Sequence, residues 1–278
     1  MNFRNRIRKV LPVMAMALLT CTVQAQNAAW TVNDSVLTVN RSVREIPGYA
    51  FQDRNDFHTV RFETGSTLRS IGEYAFLGCG NLRNIELPVS VTALGEGCFR
   101  ECSNLSKFTV PARIEKLPKA VFSWCQSLHT VSLPSRLTDI GSHAFAYCTS
   151  LASVTIPSKV THIGSNAFSF CSSLTEITLP ASVTELESYA FSECVSLKRA
   201  TLPRNHRLLG ELIFDGCISL FSLTEASPVP PKFDCNSQIF DLNETDCFER
   251  CVLFVPAASL SKYRTAPGWR LFRNIRPL

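Results

Sequence analysis

Ile140-Gly141-Ser142-His143-Ala144-Phe145-Ala146-Tyr147-Cys148-Thr149-Ser150-Leu151-Ala152-Ser153-Val154-Thr155-Ile156-Pro157-Ser158-Lys159-Val160-Thr161-His162 runs directly into Ile163-Gly164-Ser165-Asn166-Ala167-Phe168-Ser169-Phe170-Cys171-Ser172-Ser173-Leu174-Thr175-Glu176-Ile177-Thr178-Leu179-Pro180. The second stretch repeats the first after 23 residues, and the repeat extends in both directions. Phe76, Phe99, Phe122, Phe145, Phe168, Phe191 and Phe214 share that spacing. Cysteine follows three residues after each, at Cys79, Cys102, Cys125, Cys148, Cys171, Cys194 and Cys217, and leucine three further on, at Leu82, Leu105, Leu128, Leu151, Leu174, Leu197 and Leu220. A fixed period of this length marks a solenoid or array, because one such unit cannot bury its own apolar positions.

Within each unit the residues after leucine alternate, as in Val154 and Ile156 or Ile177 and Leu179, which reads as a short half-buried strand. Proline ends that strand at Pro88, Pro111, Pro134, Pro157, Pro180 and Pro203, since it cannot donate to a neighbouring strand. A second short apolar element follows (Val160-Thr161-His162-Ile163), closed by glycine at Gly72, Gly95, Gly141, Gly164 and Gly210, where a tight turn is expected. The Ala-Phe pair then falls in a compact turn or a single helical turn. An earlier, diverged unit starts at Ala50-Phe51 and carries Arg54 in place of the cysteine, as expected of a terminal repeat.

The chain has 278 residues, 45% hydrophobic and 18% charged, with a mean hydropathy of +0.08, which excludes a disordered or low-complexity protein. Arg4, Arg6, Arg8 and Lys9 supply four of the net +5 charges, so the remainder has no clustered basic face for nucleic acid.

The pattern Ile-Gly-x-x-Ala-Phe-x-x-Cys-x-x-Leu-x-x-Ile-x-Leu-Pro-x-x-Val-Thr resembles the BspA-type leucine-rich repeat of bacterial surface proteins over roughly residues 46–225. Trp30 to Val39 resembles the N-terminal β-hairpin cap of such proteins, with Asn33-Asp34 near the turn, and Val252 to Pro256 with Tyr263, Trp269, Phe272 and Ile275 resembles their C-terminal cap. The resemblance implies a leucine-rich-repeat solenoid of about eight rungs, with a parallel β-sheet on one face, short turns or helical pieces on the other and a cap at each end. At about 4.8 Å per rung it would be on the order of 40 Å long. The domains expected are a leader over 1–25, an N-terminal cap over 26–49, the solenoid over 50–227 and a C-terminal cap over 228–278.

Residues 1–25 read as a secretory signal peptide: a basic start, an apolar run from Val10 to Leu19 too short to span a bilayer, and Val23-Gln24-Ala25 before a cleavage point at Gln26. A second reading attaches lipid at Cys21, which would make an outer-membrane lipoprotein, although Thr20 is bulkier than the residue usually found there. No other stretch is long enough to cross a membrane, and the chain ends at Leu278 with no added sorting or anchoring motif. Secretion or cell-surface location is therefore expected.

The cysteine file invites a metal or redox reading, but one thiol per rung does not converge on a point as metal ligands do. Buried reduced thiols packing as small apolar residues are expected, with Cys98 a substitution in the core. Cys235, Cys247 and Cys251 lie outside the file, and one disulfide among them is plausible without a choice of pair. The five histidines occupy different repeat positions and no catalytic motif is present, so neither an enzyme nor a cofactor is expected. Tyr263, Trp269 and Phe272 read as a seal on the core rather than a sugar platform.

A hydroxyl file (Thr109, Ser132, Thr155, Thr178, Thr201, Thr224) runs along the exposed side of the strands, but the neighbouring file lacks the regularity of an ice-binding surface. The expected binding residues are Lys107, Thr109, Thr130, Ser132, Ser153, Thr155, Glu176, Thr178 and Arg199. BspA-type proteins adhere to host matrix proteins such as fibronectin and fibrinogen and to other bacteria. The resemblance thus implies adhesion through the strand face, with glycan or nutrient capture and a structural envelope spacer as alternatives. The partner expected is an extracellular protein or glycan.

Overall fold

The computed structural model describes residues 29–232, 239–240 and 245–278; the expected leader, the lipidation site Cys21 and Cys235 fall outside the described residues. Each repeat forms one coil with three sides, and successive coils stack in a register equal to the repeat. Thr130 lies opposite Lys107, and Glu176 opposite Arg199. Because the register and the sequence period coincide, each repeat position becomes a straight file along the solenoid.

The front side carries the longer strands. An antiparallel hairpin of Trp30–Asn33 and Val36–Val39 opens the sheet, turning at Asp34 and Ser35 with φ of 47° and 61°. Thr59–Phe62 and Asn84–Ile85 then add in parallel. Lys107–Thr109 and Thr130–Ser132 form a second segment, and Glu176–Thr178, Arg199–Leu202 and Ser222–Glu225 begin a third. The sheet is longer than the eight repeats imply: Val252–Val255 and Asn274–Pro277 in the C-terminal region continue the third segment in parallel. A second side holds two-residue strands, among them Lys116–Leu117, Asp139–Ile140 and His162–Ile163, whose inward members Leu117, Ile140 and Ile163 are buried.

The third side is made of turns, with no helix at the Ala-Phe pairs. These turns are also bonded from rung to rung: Phe99 donates its N–H to Val121 O at 3.1 Å and Phe145 to Ala167 O at 2.7 Å. Two left-handed residues flank each phenylalanine, such as His143 (φ 59°) and Tyr147 (φ 62°) around Phe145. The recurrent glycines are required for a different reason from the tight turn expected of them. Gly95 and Gly210 have no positive φ, but a Cβ would stand 2.3 Å from Glu73 N and 2.2 Å from Ser188 N. Close approach of one coil to the last, not a turn dihedral, excludes a side chain there.

The core is a set of files. Phe76 through Phe214 are fully buried and stack with centroids 5.1 to 5.8 Å apart. Burying each such ring contributes about 1.5–3 kcal/mol. The cysteine file is buried too, but it is more than apolar filling. Each thiol donates to the carbonyl of the phenylalanine in the preceding repeat: Cys102 Sγ to Phe76 O at 3.2 Å, Cys125 to Phe99 O at 3.1 Å, Cys148 to Phe122 O at 3.2 Å. The same carbonyl accepts the N–H of its own repeat's cysteine, as Phe122 O does from Cys125 at 3.1 Å, so the thiol occupies its second lone pair. Burial pushes the Cys79 thiol up to about 12 and holds Cys102, Cys148, Cys171 and Cys217 well above the ordinary thiol range.

Both ends are sealed by aromatic rings. Trp30 packs edge-on against Phe51 at 4.9 Å. Tyr263 and Trp269 are fully buried, with Tyr263 Oη donating to Ser227 O at 2.9 Å and Trp269 Nε1 to Pro231 O at 2.9 Å. Glu225 occupies the inward position taken by Leu202 one rung earlier. Its carboxylate, fully buried, pairs with His206 Nε2 at 3.0 Å and accepts the Ser227 N–H at 2.8 Å. Cys247 and Cys251 are both buried in this region.

Candidate functional site

The front strands place alternate side chains outward, so the nine expected binding residues come from two adjacent positions of successive coils. All nine (Lys107, Thr109, Thr130, Ser132, Ser153, Thr155, Glu176, Thr178 and Arg199) are exposed. Lys107 stands beside Thr130, and Thr109 beside Ser132. Glu176 and Arg199 are joined by a 2.6 Å bond from Nη2 to Oε2, which raises the Arg199 pKa. Such an exposed pair contributes orientation more than stability. Lys107 has no ion pair among the described residues, leaving its ammonium available.

Ser153 and Thr155 lie on a rung unlike the rest. The backbone from Ala152 to Ile156 donates no hydrogen bond to either neighbouring coil among the described residues, and the front sheet is interrupted there. A second interruption separates Asn84–Ile85 from Lys107–Thr109. At the first, a cavity of about 460 Å³ opens between His129–Ser135 and Ser153–Ser158. Val131, Leu133 and Val154 are half-buried there, whereas their counterparts Phe108 and Ile177 are buried. A larger groove of about 640 Å³ lies near the N-terminal end, where Phe62, Val60 and Ile85 meet Arg61, Glu86 and the exposed Val89.

Two features were not anticipated from the sequence. On the turn side, Trp124, Tyr147 and Phe170 stack at 3.9 Å and 4.3 Å with interplanar angles of 8° and 5°. They recur two residues after the core phenylalanine at the repeat spacing, a signal legible in the sequence. Tyr147 has both faces covered by its neighbours, so an open ring face is left only at the ends of the stack, on Trp124 and Phe170. On the second side, His162 bridges two carboxylates, Nδ1 to Asp139 Oδ2 at 3.2 Å and Nε2 to Glu187 Oε1 at 2.9 Å. Burial disfavours the imidazolium, but the bonds to Glu187 and Asp139 outweigh it and the His162 pKa is raised. Ser165 binds Glu187 through Oγ at 2.6 Å and through its N–H at 2.8 Å, which lowers the Glu187 pKa. The serine hydroxyl thus donates to the Glu187 carboxylate and not to the imidazole.

The sequence profile of the BspA type Leucine rich repeat region matches residues 29–151 and 115–229, in six copies. The chain belongs to this family. Among solved structures it is similar to a leucine rich cell surface protein from Faecalibacterium prausnitzii, with 24% identity, a TM-score of 0.53 and coverage of 87% of this chain and 79% of that one. It is also similar to a leucine-rich repeat protein from Bacteroides ovatus, with 22% identity, a TM-score of 0.60 and coverage of 88% and 73%. These likenesses establish the fold. No curated protein sequence matches the chain. The BspA-type chain is accordingly a leucine-rich-repeat solenoid, and no helix among its described residues is long and apolar enough to cross a membrane.

Proposed function

We propose that this BspA-type protein is an exported, surface-associated adhesive module that grips a protein partner through its front strand face. The observation that carries this reading is the exposure of nine side chains from Lys107 to Arg199 along one face, paired in register on both flanks of the open rung at 152–156. The face offers a free cation, a fixed Glu176–Arg199 pair and a run of hydroxyls, a mixed polar surface of the kind that a folded protein partner can match over several rungs. Export rests on the leader over 1–25, and the mass of the secreted chain tests its removal before Gln26.

The binding test is a titration of the purified protein against immobilised fibronectin, fibrinogen and laminin. Saturable binding to one of them, lost in the triple variant Lys107→Ala/Glu176→Ala/Arg199→Ala, is the expected result. Absence of saturable binding across the panel, or binding unchanged in the triple variant, would remove the support for adhesion through this face.

A further inference from the structure

Among the described residues, the rung at 152–156 donates to neither neighbouring coil, whereas the two rungs at the other interruption each keep one bonded neighbour. A parallel strand in mid-sheet ordinarily bonds to both neighbours, and an unbonded N–H there is costly unless water or a ligand satisfies it. Among the described residues, the N–H groups of Ala152, Ser153, Val154, Thr155 and Ile156 have no acceptor, while the coil is anchored normally at both ends. Ser150 N–H reaches Gln126 O at 3.1 Å before the gap, and Thr161 N–H reaches Thr138 O at 2.8 Å after it. The two rungs are pinned at their ends and separated in the middle. The opening is a slot, too constrained for an added strand.

The slot's chemistry is uniform. Thr130, Ser132, Ser153 and Thr155 place hydroxyls along its rim, and Val131 and Val154 form an apolar floor. None of the lining residues is Asp, Glu, Lys or Arg, and His129, the titratable one, has its Nδ1 engaged with Thr130 Oγ1 at 2.9 Å. A site without formal charge gains nothing from an ionic ligand. Hydroxyls together with free backbone donors match groups that both donate and accept, and an apolar floor matches a face of C–H bonds. A pyranose ring presents both at once. The volume of about 460 Å³ falls in the range of small-ligand sites.

We propose that this slot is a binding site for a neutral carbohydrate, taking one or two pyranose units of a longer glycan. The slot shares Thr130, Ser132, Ser153 and Thr155 with the protein-binding face proposed above, whereas the charged residues of that face, Lys107, Glu176 and Arg199, do not line it.

Amide hydrogen exchange and calorimetry on the purified protein test the proposal, with maltotriose, cellotriose and chitotriose as probes and sialyllactose as the charged control. In the free protein the amides of Ser153 and Thr155 should exchange much faster than those of Val110, Leu179 and Lys198, whose N–H groups reach Ser132 O, Thr201 O and Thr175 O. A neutral trisaccharide at millimolar concentration should slow exchange at Ser153 and Thr155. The double variant Ser132→Ala/Thr155→Ala, at exposed positions that leave the core intact, should bind that sugar about tenfold more weakly, as expected when two hydrogen bonds of modest net worth are lost. Exchange at Ser153 and Thr155 as slow as at Val110, Leu179 and Lys198 would remove the slot. Fast exchange unaffected by every neutral sugar, undiminished binding in the double variant, or binding of sialyllactose alone would overturn the carbohydrate assignment. Loss of matrix-protein binding in the Lys107/Glu176/Arg199 variant, with sugar binding retained, would show that the slot holds the sugar without the charged residues that serve the protein partner.

Discussion

Replacing Cys148 by alanine and, separately, by serine distinguishes two roles for the column thiols. Cys148 is fully buried and its Sγ lies 3.2 Å from Phe122 O. Alanine removes a buried heavy atom worth about 1 kcal/mol of transfer free energy and leaves a small void that adds about 0.5 kcal/mol. It also forfeits a weak S–H···O bond worth about 0.5 kcal/mol, so the total loss is about 2 kcal/mol. Serine keeps a donor, and a stronger one, but its shorter bond draws the oxygen back from the carbonyl and it must bury a hydroxyl. With the hydrogen bond made, these effects leave a net cost of about 1 kcal/mol. Stability should therefore fall in the order Cys, Ser, Ala. If the thiol were only a small apolar filler, the order of the variants would reverse, because serine would bury an unsatisfied hydroxyl. Guanidinium denaturation of the three proteins, compared at matched m-values, gives the order directly. A serine variant less stable than the alanine variant would refute the donor role.

Other outcomes follow from the same geometry. A thiol reagent should leave Cys102, Cys148 and Cys171 unmodified in the native protein and label them fully once it is unfolded, because burial holds these thiols far above the usual range; rapid native labelling would contradict their place in the core. Glu225→Ala removes the acceptor of His206 Nε2 and of the Ser227 N–H and should cost about 1–3 kcal/mol, whereas Glu225→Leu/His206→Leu, which puts at 225 the leucine found at 202 one rung earlier, should cost less by thermal denaturation. Stability should also vary with pH through the second side of the solenoid. The raised His162 pKa gives a contribution fully present below the ordinary histidine value of 6.5 and lost as pH rises through the folded-state value. The lowered Glu187 pKa gives one present above 4.5 and lost as pH falls through its folded-state value, so the pair contributes most between those two limits. His162→Ala should flatten the alkaline side of that profile in urea titrations, and an unchanged profile would exclude the bridge.

Much of this architecture was legible because one number governs both sequence and structure. A 23-residue period that is also the inter-rung register turns every recurrent Phe, Cys and Leu into a file, and the exposed positions from Lys107 to Arg199 follow by alternation. What was not legible depends on contacts between coils. The thiol reads as a small apolar residue until the Phe carbonyl of the preceding repeat is placed against it. Gly95 reads as a turn residue until Glu73 N lies 2.3 Å from its missing Cβ. The open rung carries Val154-Thr155-Ile156-Pro157, the same apolar-hydroxyl-apolar-proline template as Val131-Ser132-Leu133-Pro134 and Ile177-Thr178-Leu179-Pro180, with no breaker to mark it. Its half-buried Val131 and Val154 differ from Phe108 and Ile177 only in size, a difference that becomes a slot through packing rather than pattern. Glu225, in a file of aliphatic residues that includes Leu202, Leu179 and Ile156, would be read as surface by composition alone, and only the folded register places it beside His206.

The two long sides of the solenoid can be set against each other in one binding experiment. With a matrix protein that binds saturably, the front variant Lys107→Ala/Glu176→Ala/Arg199→Ala is compared with the turn-side variant Trp124→Ala/Tyr147→Ala/Phe170→Ala, both verified as folded by circular dichroism. Adhesion through the strand face predicts that the front variant loses binding and the turn-side variant retains it. Retention by the front variant with loss by the turn-side variant would place the partner on the aromatic stack and contradict the account.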